Sequence, residues 1–220
     1  MDRKQPENDS GIIGNFSVAL GLFDYINPIL YGITTITIAT HLYGVMNMSA
    51  FVIYAIGGAL SLLFGLAIPT VKLMVGLGKM QFQMPVNLVS FVNTGILLSG
   101  IALSGHVLHI KPTAFLFILI ASAAVLGFLW YKTGKFNTVA VLIGGVGYLM
   151  IYASLIALSL RAGSVLSVIL YAFAICLFVF LCLVGIKANL KNAKVHWVIE
   201  ISNVVCQLSV ALATVLLFCR

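Results

Sequence analysis

Residues 164–186 read SVLSVILYAFAICLFVFLCLVGI, with no charged side chain anywhere in the run. At 1.5 Å per helical residue such a stretch crosses a hydrocarbon core of roughly 30 Å. Working outward, six further apolar runs of similar length lie near 22–43, 50–71, 84–107, 112–131, 138–160 and 197–218. The breaks between them carry the punctuation expected of helix ends. Pro112 stands at a helix start, where its missing N–H leaves no bond unmade, and Gly44, Gly78, Gly134 and Gly163 fall in the short connections. The fold class that follows is all-α: a polytopic transmembrane helix bundle of about seven spans.

The bulk composition agrees. Of the 220 residues 62% are hydrophobic and 8% charged, and the mean hydropathy is +1.16. A soluble domain carries about 25% charged residues. A chain this size could not hide so much apolar surface from water, so lipid is its solvent and its first partner. The net charge of +7 does not point to nucleic acid. The cations stand singly between apolar runs, without a basic patch or an aromatic-basic platform. Cys176, Cys182, Cys206 and Cys219 all lie in apolar runs with no metal-type spacing, and read as small buried hydrophobes.

Residues 1–11 form a polar N-terminal tail, and 12–220 a single transmembrane domain. Ile12, Phe16, Ala19, Leu20 and Phe23 fall at helical spacing, so 12–23 reads as an interfacial helix feeding the first span. A single long tilted helix over 12–43 is the alternative. No signal-peptide pattern with a cleavage site follows the tail, and the first span is expected to act as an uncleaved insertion signal.

Orientation comes from counting Lys and Arg. With the N-terminus cytoplasmic, Arg3, Lys4, Lys72, Lys79, Lys132, Lys135, Lys187, Lys191 and Lys194 lie inside, against Lys111, Arg161 and Arg220 outside. That bias predicts an N-in, C-out chain in the plasma membrane. Ile56-Gly57-Gly58 in span two is echoed by Ile143-Gly144-Gly145 in span five. The same offset maps spans one to three onto four to six with opposite direction, an inverted 3+3 repeat plus one helix. Plain helix packing through small residues explains the same glycines. The Arg-Asp that follows the glycine kinks in bacterial trimeric intracellular cation channels is absent here. Ala59-Leu60 and Val146-Gly147 stand in its place. The Pro-Gln motif of seven-helix sugar transporters is absent too, so no family is assigned.

Polar side chains within a span face the bundle or a wet cavity, because lipid leaves them unpartnered. Span seven has Glu200, Asn203, Gln207 and Thr214 on one helical face. Glu200 lies near the cytoplasmic end, where it reads either as a cation or proton site or as an interfacial carboxylate paired with Lys194 or His196. Span three has Asn87, Ser90 and Thr94 on one face and Asn93 beside it; interhelical hydrogen bonding is the structural alternative. Span one has Asn27, Tyr31, Thr34 and His41, with Asp24 just before Asn27-Pro28. An approach of Asp24 to Glu200 would raise a carboxyl pKa or recruit a cation. The three stripes, on spans one, three and seven, predict one polar path with an acidic cytoplasmic mouth.

Other chemistries have little footing. His41, His106 and His109 end spans on one side, yet no carboxylate or Cys accompanies them, so no metal is expected. Ser104 and His106 are too close in sequence to share a helix face as nucleophile and base. No metalloprotease, hydrolase or phosphate-loop motif occurs, and neither an enzyme nor a cofactor is expected. The expected function is a small channel or carrier for a small solute or cation. The runner-up is a non-transporting membrane subunit, a substrate-capture or assembly partner of a larger membrane complex, and an intramembrane enzyme is the least supported reading; a homo-oligomer or a membrane partner subunit is the expected company.

Overall fold

The computed structural model describes residues 17–79, 86–133, 136–187 and 193–219. Eight helices follow one another: α1 (Val18–Asp24), α2 (Ile26–Leu42), α3 (Met48–Gly76), α4 (Val86–Val107), α5 (Pro112–Thr133), α6 (Phe136–Arg161), α7 (Val165–Lys187) and α8 (Ala193–Phe218), with no strand among the described residues. The chain is a helical membrane bundle. Five of these helices, α3, α4, α6, α7 and α8, are long and apolar enough to cross a membrane. The 17-residue α2 and the 22-residue α5 occupy the places of expected spans one and four.

The first span departs from expectation in an instructive way. The part of the interfacial segment at 12–16 lies outside the described residues. From Val18 the chain forms α1, capped by the Ser17 hydroxyl, which accepts from the Leu20 N–H at 3.2 Å. Helix α1 ends at Asp24 because Pro28 has no N–H for the Asp24 carbonyl and its ring crowds that oxygen. The joint falls at Tyr25. Helix α1 does not simply lie in the interface. Leu20, Gly21 and Asp24 are buried, and a Cβ on Gly21 would come within 3.0 Å of the Leu73 backbone on α3. Phe23 meets the Trp197 ring of α8 at 5.4 Å.

Helix α4 is the hub. At Gly57 a Cβ would lie 2.5 Å from the Gly95 carbonyl oxygen, and at Gly147 one would lie 2.6 Å from the Leu97 nitrogen. Gly144 is pressed against Asn93. One glycine of each echoed motif, Gly57 and Gly144, thus seats α3 and α6 against α4, while Gly58 meets Thr35 of α2 and Gly145 faces Phe178 of α7. A two-fold repeat would match the close α4–α6 seam with one between α3 and α7, and that pair is not among the closely packed ones. Helix α8 packs on α7 and α2, while α5 lies at the periphery against α6.

One charge was misplaced by the sequence reading. Lys72, assigned to a cytoplasmic loop, is inside α3 and buried. Its run, Ile68-Pro69-Thr70-Val71-Lys72-Leu73-Met74-Val75, is apolar on both sides of the lysine, so the helix continues past it. Without Lys72 the loop count is eight cations against three, and the bias keeps its direction.

Candidate functional site

Asp24, Lys72 and Glu200 meet at the expected cytoplasmic end of the bundle. The Lys72 ammonium donates to Asp24 Oδ2 at 2.6 Å and to Glu200 Oε1 at 2.9 Å. All three residues are less than 9% exposed: Asp24 7%, Lys72 8% and Glu200 6%. Three helices deliver them: α1 at the end forced by Pro28, α3 in its last turns, and α8 one turn beyond Trp197. Glu200 lies about 10 Å along α8 from its start, and Lys72 about 6 Å from the end of α3, so the cluster is set inside the bundle rather than on a loop.

The approach of Asp24 to Glu200 that the sequence allowed is therefore realised, and the recruited cation is the chain's own. Isolated charges at this depth would be heavily penalised, and mutual pairing with hydrogen bonds is what makes them tolerable. The triad carries one carboxylate more than it has ammonium groups. Asn27 stands over that excess. Its Nδ2 lies 3.4 Å from Asp24 Oδ1 and 3.2 Å from Glu200 Oε2. Two carboxylate oxygens would repel an amide oxygen, so the NH₂ must face them and Oδ1 must face away. Asn27 Oδ1 is buried without a hydrogen-bond partner among the described residues, and so is the Tyr31 hydroxyl one turn on.

Both residues line a cavity of about 260 Å³. Asp24, Asn27, Tyr31, Lys72, Glu200, Asn203 and Gln207 supply most of its polar lining, with Ser61 and Tyr148. Ser61 donates to the Val92 carbonyl at 3.0 Å, and Gln207 Nε2 donates to the Tyr148 hydroxyl at 3.4 Å. Gly65 and Pro69 form part of the α3 wall. Proline 69 has no N–H to offer the Gly65 carbonyl, which loosens the helix where the cavity needs width.

Of the ten residues expected on a path, six line this cavity: Asp24, Asn27, Tyr31, Glu200, Asn203 and Gln207. The others do not. Thr34 is buried one turn beyond Tyr31 and donates to the Leu30 carbonyl at 3.0 Å. On α4, Ser90 is half-buried and Thr94 exposed, and the helix presents Val92 and Ile96 to the cavity instead. The side chain of Asn87 lies outside the described residues. Thr214 is fully buried and bonded to the Tyr171 hydroxyl at 2.9 Å, so the polar face of α8 stops being a cavity wall beyond Gln207. Sequence reasoning missed Lys72, Ser61 and Tyr148. For Lys72 the apolar flanks were the available signal; a serine and a tyrosine in apolar runs gave none.

The histidines part company. His106 and His109 line a second cavity, of about 430 Å³, at the other end of the bundle with Asn47, Ser49 and Lys111. His41 instead stacks on Phe218 at 5.3 Å, with Nδ1 2.8 Å from the Thr37 carbonyl oxygen.

These features define a class: a helical membrane bundle with a buried ion triad at the base of a polar cavity. No protein-family model matches the chain, nor does any curated protein or solved structure.

Proposed function

We propose that this chain is a small carrier of the cell membrane that moves a small solute or cation through the cavity between α2, α3 and α8. The observation that carries the reading is the buried Asp24–Lys72–Glu200 triad at the wall of a cavity inside apolar spans. Ionisable groups at membrane depth are costly, and facing a cavity is their usual setting in transport proteins. A carrier fits better than an open channel. Beyond the cavity the bundle closes on Ile38, Leu103, Leu155 and Ala213, all fully buried. A site reached from one side and sealed on the other is what alternating access requires.

Catalysis is the weaker reading. The Ser104 hydroxyl meets the Ser154 hydroxyl at 2.9 Å, while His106 lines the distant second cavity. Neither serves the other as nucleophile and base.

The test is uptake into proteoliposomes holding the purified protein alone. Glu200→Gln should fold and lower uptake about tenfold or more, since it removes a charge-assisted hydrogen bond to Lys72. Wild-type uptake left unchanged in the variant would take Glu200 out of the mechanism. Folded protein with no uptake of any solute in a broad panel would return the chain to the reading of a partner-dependent membrane subunit.

A further inference from the structure

The cavity also indicates what kind of solute it takes, an inference that rests on the transport reading above. Lys72 is not an anion receptor. Its ammonium is already held by two carboxylates at 2.6 and 2.9 Å, and an incoming anion would meet the excess negative charge of the pair. The groups left over point the other way. Asn27 spends its NH₂ on the carboxylates, which leaves Oδ1 buried and unpartnered among the described residues, and the Tyr31 hydroxyl is in the same state. A buried acceptor without a donor is expensive, and a ligand that brings N–H groups satisfies it. Two tyrosine rings, Tyr31 and Tyr148, stand in the same wall, and aromatic faces attract cations. The size fits as well. A volume of about 260 Å³ is several times the roughly 30 Å³ share of one water, room for a small organic ion.

We propose that the cavity binds a small primary ammonium ion, its N–H groups donating to Asn27 Oδ1 and Tyr31 Oη and its charge balancing the carboxylate that Lys72 leaves uncompensated. Lys72 is then a tethered resident of the same chemical class as the ligand. It keeps the acid pair from standing bare when the cavity holds no cargo, and it is a competitor when cargo arrives.

The test is binding, read apart from transport. Purified protein carrying Trp130→Phe has Trp197 as its one remaining tryptophan, one turn before Glu200, and its fluorescence can be titrated with methylammonium, tetramethylammonium, sodium and acetate. Methylammonium should bind saturably. Tetramethylammonium, with the charge but no N–H, should bind at least about tenfold more weakly, the equivalent of one lost hydrogen bond to a charged group. Tyr31→Phe removes a hydroxyl with no partner among the described residues, so the fold should be untouched while methylammonium affinity falls by a similar factor. Equal binding of both ammonium ions, preference for acetate, or a Tyr31→Phe variant that binds as wild type would overturn the proposal. So would sodium binding that depends on Tyr31 without any methylammonium binding. Methylammonium binding without uptake in liposomes would sink the transport reading and leave this one standing; uptake of other solutes without methylammonium binding would do the reverse.

Discussion

The two ends of this bundle are built from the same helices and held by different forces. Toward the expected outer face, Ile38, Leu42, Tyr54, Leu103, Leu155, Tyr171, Val210 and Ala213 form a continuous buried core. Within this core, serines find carbonyls: Ser159 donates to the Leu155 carbonyl of its own helix at 2.8 Å, and Ser167 donates across to the Ala213 carbonyl of α8 at 3.0 Å. Toward the expected cytoplasmic face the same α2, α3 and α8 surround charge and a cavity. Lipid is as apolar as leucine, so the hydrophobic effect does little to press helices together. The outer end coheres through close packing. The inner end coheres through a few strong electrostatic contacts in a low dielectric. The difference teaches that one set of helices can be joined by close apolar packing at one level and by buried charge around a cavity at another.

The sharpest way to break that contrast is at Lys72. Lys72→Met leaves Asp24 and Glu200 buried, facing one another without their cation. Removing one member of a buried ion pair typically destabilises by about 3–5 kcal/mol, and that loss is expected here in reversible unfolding in lipid-detergent micelles. Asp24→Asn, Lys72→Met and Glu200→Gln combined should recover most of it, because no charge is then left alone. A single Lys72→Met variant as stable as wild type would mean that the triad does not hold the inner end.

The α4 seam sharpens the comparison from the packing side. At Gly147 an added Cβ would sit 2.6 Å from the Leu97 nitrogen and 2.7 Å from its Cα, against backbone that cannot swing away. Gly147→Ala should therefore destabilise by about 1–3 kcal/mol, the usual range for overpacking. Its neighbours along the seam, Tyr148 and Ile96, line the cavity, so the variant should weaken solute uptake as well. Gly127 on peripheral α5 has nothing among the described residues within 4 Å of an added Cβ. Gly127→Ala should be neutral or gain up to about 1 kcal/mol from helix propensity alone. Equal effects at the two glycines would deny α4 its place as the hub.

How much of this was legible beforehand follows from what periodicity can carry. Helical membrane architecture was written in charge-free runs such as 164–186. The face shared by Glu200, Asn203 and Gln207 was readable from spacing, because positions three and four apart lie together on one helix. Asp24 and Asn27 were readable from cost, since lipid leaves such groups no solvent. Contact between helices was not readable, because no single-helix period encodes which stripe meets which. That is why Thr94 was placed on the path when it is exposed, and why α4 gives Val92 and Ile96 to the cavity. Lys72 was lost to a different habit: a lysine near the end of an apolar run resembles a loop cation, and only the four apolar residues around it argued otherwise. The glycine echo was real in the sequence, yet its first glycines, Gly57 and Gly144, each serve close approach to one central helix.

The smallest expected effect tests whether the outer end relies on packing rather than polar bonds. Thr214 and Tyr171 are fully buried, with their hydroxyls 2.9 Å apart, and Thr214 also donates to the Val210 carbonyl at 2.8 Å. Interhelical hydrogen bonds in membranes average about 0.6 kcal/mol in double-mutant cycles, because the separated helices find other partners. A cycle of Thr214→Val with Tyr171→Phe should return a coupling near that value, measured as unfolding free energy in the same micelles. The corresponding cycle of Lys72→Met with Glu200→Gln should be several times larger. A Thr214–Tyr171 coupling that matched the ion pair would show that polar contacts hold both ends alike. The outer end would then be a second polar site, and the packed seal inferred for the carrier would lose its basis.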